Sequence, residues 1–529
     1  MPRTLRIAGA LVAMMLLATG TAAQEHAHPA VAPERLGTVT FATSCAADVA
    51  PDFNRAVALL HSFEFGASIR AFNAVAARDT TCAMAHWGLA LSHWGNPMAP
   101  GLRGPALLQR GRDAAQTAAR LGPAAGERER LYISAVGQLF ADYETRGQSE
   151  RVEAYEKAMR DVVARQPGDT EAKIFHALAL AASAPPTDKT YARQLEAGAI
   201  LESILATQPE HPGIAHYIIH SYDYPPLAGR AATAARRYAE IAPSAAHALH
   251  MPSHTFTRVG MWHESVNTNL RSMDVAKRDR SWAEVLHAAD YAVYAYLQVR
   301  NDSAARTVLA ELPVMAAQFD PNAVTGAAPG WAGLFALAAI PARYALERGA
   351  WREAAELQPK STAFPHTEAL TWFARALGAA HIGDAARMRE SIDSLGAFSE
   401  RLTAKGEPYW AEQVAIQQLG AQAWLDHSEG RSDDALKRMR EAVDREDATE
   451  KSAVTPGPLA PARELLGDML LMRNRPTEAL AEYRKAMERE PNRYRTLDGA
   501  RKAAIAAGDQ SAAAGYAEQL ARLTGAVLQ

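Results

Sequence analysis

The chain has 529 residues, with 56 Lys and Arg against 59 Asp and Glu for a formal net charge of −3. At about 100–200 residues per domain, that length allows two to four domains or one long repeat array, with ample material for a buried core. The near-balance of charge provides no basic field, so neither nucleic acid nor an anionic membrane surface is expected as a partner.

The opening residues, "MPRTLRIAGALVAMMLLATGTAAQEH", set Arg3 and Arg6 before an apolar stretch from Ile7 to Gly20 and the small residues Thr21, Ala22 and Ala23. This pattern predicts a cleavable signal peptide over residues 1–23 and a periplasmic or secreted mature protein. The stretch is short for a bilayer and no second one follows, so no membrane span is expected after cleavage. His26 and His28 belong either to a flexible tail or to an amino-terminal copper chelate. Residues 24–45 read as irregular. Cys45 and Cys82 are the two cysteines of the chain. In an oxidising compartment they read as a disulfide joining "FATSCAAD" to the start of a helix at "TTCAMAHWG", with two separately buried thiols as the alternative.

From there on, apolar residues recur at helical spacing and strand-like alternation is nearly absent. Helical segments come in pairs joined by short Gly, Asn or Asp turns. "ALLHSFEFGASIRAFNAVAARD" and "AYEKAMRDVVARQPGDTEAKIFHALAL" lie in the front half, and "ARYALERGAWREAAEL" and "AWLDHSEGRSDDALKRMREAV" in the back half. The clearest pair is "PARELLGDMLLMRNRPTEALAEYRKAMEREP", with small residues at Gly467 and Ala479, an aromatic at Tyr483 and a closing Pro491. This grammar resembles the tetratricopeptide repeat, two antiparallel helices in about 34 residues. The resemblance implies an all-α helical-hairpin solenoid. Residues 319–333, "FDPNAVTGAAPGWAG", read as a linker between an array over 46–318 and a second over 334–529. The strings "AHYIIHSYD" and "HALHMPSHTFTRVGMW" are also similar to those of a group of exported bacterial tetratricopeptide proteins, a likeness that carries no substrate or catalytic residue.

The histidines are unevenly spread. Eight of the 17 fall between His211 and His287, where an even spread would give about two or three. With Gly260 as a hairpin turn, one pair begins near Ala246, with His250 at its fifth place and His254 at its ninth. The preceding pair begins near Pro212, with His216 and His220 at the same places. In the following pair, whose turn lacks glycine, Asp290 and Tyr294 take these places and His287 lies one turn earlier. The resemblance implies that the first helix of each pair lines a concave groove through its second, fifth and ninth places. Residues four apart share a helix face, and packed helices lie about 8–10 Å apart. His216, His220, His250, His254, His287 and Asp290 therefore form a candidate metal-ligand stripe on the groove. Pro252 either kinks the helix between His250 and His254 or starts a new one.

Neutral imidazole suits late first-row metals, and a carboxylate beside it favours Zn or Fe, with Cu left possible through Met251 or Met261. Asp223 reads as an orienting acid, a direct ligand or a loop cap, and Tyr294 as a partner beside the ligands. Glu464 and Asp468 form either an acidic patch in the groove or a solvated helix face. The sequence contains no P-loop, HExxH, CxxCH or GxSxG. Three functions stand open: a metal-binding solenoid that holds a ligand or peptide, a metal-free scaffold for a peptide or protein in the groove, and a metal-dependent hydrolase or oxidoreductase.

Overall fold

The computed structural model describes residues 33–99 and 101–525, and every regular element among them is a helix. The expected signal peptide, His26 and His28 lie outside the described residues. Among those described, no helix is long and apolar enough to cross a membrane.

Successive helices pair across tight turns, and the pair Ala462–Met472 and Pro476–Arg489 shows why. Pro476 stands in the first turn of its helix, where a missing N–H costs nothing, and Pro491 follows directly after the end. A Cβ on Gly467 would meet the Tyr483 ring at 2.7 Å, and one on Gly499 would meet it at 2.5 Å. The tyrosine thus fills a slot made by glycines of its own pair and of the next helix, Tyr494–Ala506. Repeating this small-to-large fit stacks hairpin on hairpin into an all-α solenoid of the tetratricopeptide type.

Two irregular segments then cover its inner face. Residues 319–329 are non-helical, and 330–333 already belong to the helix Gly330–Glu347. Thr325 accepts a bond from the Gly66 amide at 2.8 Å, and the Ala328 amide donates to Glu284. On the other side, Tyr291 Oη donates to the Thr455 carbonyl at 3.0 Å, and Arg343 donates to the Gly457 carbonyl at 2.7 Å. Trp262 Nε1 reaches the Asn492 carbonyl at 2.8 Å. One apolar cluster, which includes Leu249, Val285 and Tyr344, runs across residues 319–333 from one side to the other. The chain from Arg35 onward is a single compact unit.

Cys45 and Cys82 are bonded, with their Cα atoms 4.7 Å apart. The bond ties the irregular segment before Ala47 to Cys82, which directly precedes the helix Ala83–Trp94. Closing a loop of 37 residues lowers the entropy of the unfolded chain. Cys45→Ser with Cys82→Ser is expected to lose about 2–4 kcal/mol in urea unfolding. In the same experiment, the unfolded, unreduced wild type should titrate no thiol.

Candidate metal centre

Three helices carry the site. They are Pro212–Ser221, the broken helix Ala246–His250 with Pro252–Arg258, and Trp282–Gln298. Both readings of Pro252 meet in one arrangement: the helix starts at Ala246, breaks at Met251 and restarts with Pro252 in its first turn. His250 and His254 therefore sit on separate segments, yet their ring centroids are 5.0 Å apart.

The groove position expected of these residues needs correction. His216, His220, His247, His250, His254 and His287 are all buried, none more than 5 % exposed. The inner stripe does point inward, but the chain fills the inside with residues 324–328 and 451–457.

His250, His254 and His287 form one group, with a ring nitrogen from each within 4.8 Å of the others. Hydrogen bonds fix the tautomers of His250 and His254. Asn269 Nδ2 donates to the Ser265 carbonyl at 2.6 Å, so its Oδ1 accepts from His250 Nδ1–H at 2.7 Å. His254 Nδ1–H donates to Asp223 Oδ2 at 3.0 Å. Each neutral ring then carries its lone pair on Nε2, and these two nitrogens face each other at 3.0 Å. Two acceptors cannot bond one another. A shared proton would make one ring an imidazolium, which burial disfavours: it holds His250 well below the usual histidine value and His254 at about 4. Burial also lowers His287, to about 3.

His216, His220 and His247 form a second group with the same 4.8 Å spacing. His216 Nδ1–H donates to the His61 carbonyl at 2.6 Å. Its Nε2 and both ring nitrogens of His220 and His247 have no hydrogen-bond partner among the described residues. Glu284 Oε2 is likewise unpartnered there and lies 3.8 Å from His247 Nδ1. The groups adjoin, with the His247 and His250 rings 5.9 Å apart and those of His220 and His254 6.0 Å apart. In a third constellation His61 and His211 each donate Nε2–H to one oxygen of Glu171 at 3.0 Å, while His211 Nδ1 has no hydrogen-bond partner among the described residues. Burial alone would raise Glu171, but these two histidines hold it down at about 2.

Asp223 anchors the first group. Arg258 Nε donates to its Oδ1 at 2.8 Å and Lys451 Nζ to its Oδ2 at 3.0 Å. Burial would raise this carboxyl, but Lys451, Arg258 and His254 hold it well below the usual range. Lys451 is itself lowered to about 8 by burial. Burial and the neighbouring Glu284 push Glu64 up to about 8.

Asp290 and Tyr294 stand elsewhere. Asp290 accepts from Arg343 Nε at 2.8 Å, which commits its carboxylate away from the imidazoles. Tyr294 Oη accepts from Arg493 at 2.9 Å, within a neighbouring ion cluster. Tyr291 is the residue that meets the histidines, its ring centroid 4.8 Å from His250 and 5.1 Å from His254. If the third helix is counted from Ala283, its second, fifth and ninth places are Glu284, His287 and Tyr291. The second place also holds His247 in the middle helix. Glu464, with its side chain fully buried, pairs with Arg493 and Arg495 rather than facing solvent.

A cavity of about 490 Å³ reaches this centre, lined in part by Tyr191, His220, Asp223, Tyr224, Tyr409 and Lys451. It is a small-molecule volume.

No family model matches the chain, and no curated protein matches it. Among solved structures, the human IFIT1 dimer with m7Gppp-AAAA is similar at 12% identity, covering 91% of this chain and 96% of that one, with a TM-score of 0.41. The structure of Naa15/Naa10 bound to HypK-THB covers 90% of this chain and 88% of that one at 10% identity and a TM-score of 0.24. The APC/C hetero-tetramer Cut9-Hcn1 covers 90% of this chain and 87% of that one at 9% identity and a TM-score of 0.31. These neighbours are tetratricopeptide-type helical solenoids. The architecture here rests on the chain's own helix packing, a scaffold suited to holding a protein or ligand.

Proposed function

We propose that this protein is a metal-binding helical solenoid. His250, His254 and His287 would hold one late first-row transition-metal ion beside a cavity for a small ligand. The observation that carries the reading is the pair of Nε2 lone pairs facing each other at 3.0 Å, each fixed by an outer N–H given to Asn269 or Asp223. A ligating histidine is held this way, with its other nitrogen anchored by an acceptor. A metal-free scaffold would leave both acceptors buried and opposed, at about 1–3 kcal/mol for each unsatisfied group.

The donor set suits the ion. Three neutral imidazoles match Zn, Fe, Ni or Cu, and the Asp223 carboxylate behind His254 anchors its outer nitrogen. With Asp290 engaged by Arg343, the carboxylate ligand that favoured Zn or Fe over Cu is missing from the set. Three protein ligands leave room for a water or a ligand atom, and an ion held there would supply Lewis-acid chemistry. The disulfide supports export to an oxidising compartment.

The test uses untagged full chain equilibrated with buffered Zn²⁺, with metal measured by elemental analysis. Wild type should bind Zn²⁺ and His287→Gln should lose that ion. Asn269→Ala removes the acceptor that fixes the His250 tautomer without touching a ligand, and is expected to weaken Zn²⁺ binding about 10–100-fold. Absence of Zn²⁺ from the wild type, or unchanged affinity in both variants, would overturn the assignment.

A further inference from the structure

The first ion leaves the second histidine group unexplained. Five imidazole nitrogens and one carboxylate oxygen, all buried, remain without a partner among the described residues. Buried polar groups are nearly always satisfied, and so many orphans in one place point to a missing occupant. The direct bond from His216 to the His61 carbonyl commits Nδ1 as donor and leaves an Nε2 lone pair in the cluster. Neutral His220 and His247 each add one more. The three donor atoms lie within 4.8 Å of one another.

We propose that His216, His220 and His247 bind a second transition-metal ion next to the first, making the centre dinuclear. The proposal extends the one-ion reading above and uses none of the same ligands. Phe63 packs against all three rings, 4.4 Å from His216 and 5.7 Å from His220 and from His247, but an apolar ring offers their nitrogens no partner. Water alone is a weaker account, since a water offers two donors and at least three imidazole acceptors need one.

The surroundings repeat those of the first group. Asp223 stands behind His254 at 3.0 Å, and Glu284 stands beside His247 at 3.8 Å with one oxygen free. A small movement lets Glu284 accept from His247 Nδ1–H and turn Nε2 toward the ion, or lets it ligate directly. Either way, Glu284 offsets part of the second ion's charge, whereas Asp223 is already paired with Arg258 and Lys451. Room exists at His61 because Gly213, in the second place of its helix, has no side chain; a Cβ there would meet His61 Nδ1 at 2.6 Å. His220 also lines the 490 Å³ cavity, so the second ion is the one nearer the entering ligand.

The experiment counts ions. Untagged full chain is stripped with a chelator, equilibrated at fixed free Co²⁺ or Zn²⁺ in a metal buffer, and analysed for bound metal. Two equivalents per chain are expected in the wild type, and one in His220→Gln, in His216→Gln and in His287→Gln. None is expected in His220→Gln/His287→Gln. Two different single variants of the second group guard against one that fails to fold, and circular dichroism checks each. One equivalent in the wild type, kept by His220→Gln and lost by His287→Gln, would overturn the second ion and leave the first in place. One equivalent lost by both would mean a single shared ion, and also overturns it. Two equivalents unchanged by His220→Gln and His216→Gln would place the second ion elsewhere. No bound metal at all would sink both readings.

Discussion

Replacing Arg493 by alanine is expected to cost about 3–5 kcal/mol in urea unfolding, the loss that follows when one partner of a buried ion pair is removed. Arg493 is fully buried. It meets Glu347 at 2.7 Å and Glu464 at 2.8 Å and donates to Tyr294 Oη at 2.9 Å. Without it two buried carboxylates share one remaining cation, Arg495, which holds Glu464 at 2.9 Å. Burial already raises Glu347, while Arg493 and Arg495 overcome burial to hold Glu464 at about 2. Arg493→Met keeps the stem but not the charge and should be nearly as damaging. Adding Glu347→Gln and Glu464→Gln should recover much of the loss, because the penalty comes from unpaired charge rather than from a void. A loss below about 1 kcal/mol in Arg493→Ala would show that the cluster is not held as described. The cluster also joins the C-terminal repeats to the helix that carries His287, through Arg493 and Tyr294, 199 places apart in the chain.

Much of the architecture was legible because it is periodic. Gly467, Tyr483 and Pro491 mark a hairpin by size and backbone constraint alone, and the structure uses each for that purpose. The histidine face was legible for the same reason: places five and nine of two neighbouring helices lie side by side, with the His220 and His254 rings 6.0 Å apart, but they fall into two groups rather than one. The third helix was misaligned by three residues, and the cause is physical. Its turn takes a positive φ of 58° at Arg300 rather than at a glycine, so the usual marker is missing and Asp290 was read where His287 belongs. The cover over the site was not legible. Residues 324–328 and 451–457 have no period, and their contacts with Gly66, Glu284, Tyr291 and Asp223 join positions far apart in the chain. Irregular backbone carries no record of what it will lie against. For that reason a stripe that looked like an open groove is an enclosed centre.

Enclosure makes the metal-free protein sensitive to acid. In the unfolded chain a histidine titrates near 6.5. In the folded chain burial holds His216, His220 and His250 well below that value, His254 at about 4 and His287 at about 3. Between these limits the unfolded state binds more protons, so stability falls as pH falls. The stabilisation is fully present above about pH 6.5 and is lost progressively below it. Glu64 and Glu446, pushed up by burial to about 8 and about 7, act in the opposite direction, because they hold protons in the folded state. The buried imidazoles take up protons only on unfolding, so the apoprotein should lose stability as pH falls below about 6.5. Urea midpoints at pH 7.5, 6.5 and 5.5 measure it, and a midpoint that stays constant down to pH 5.5 would contradict the burial of the imidazoles. Saturating Zn²⁺ should raise the unfolding free energy at pH 7.5, by about 4 kcal/mol per bound ion when free metal is a thousandfold above Kd. The gain should fade toward pH 5.5 as protons compete for the same nitrogens. Loss of one ion's share of that gain in His287→Gln at pH 7.5 would tie it to the ligands rather than to ionic strength.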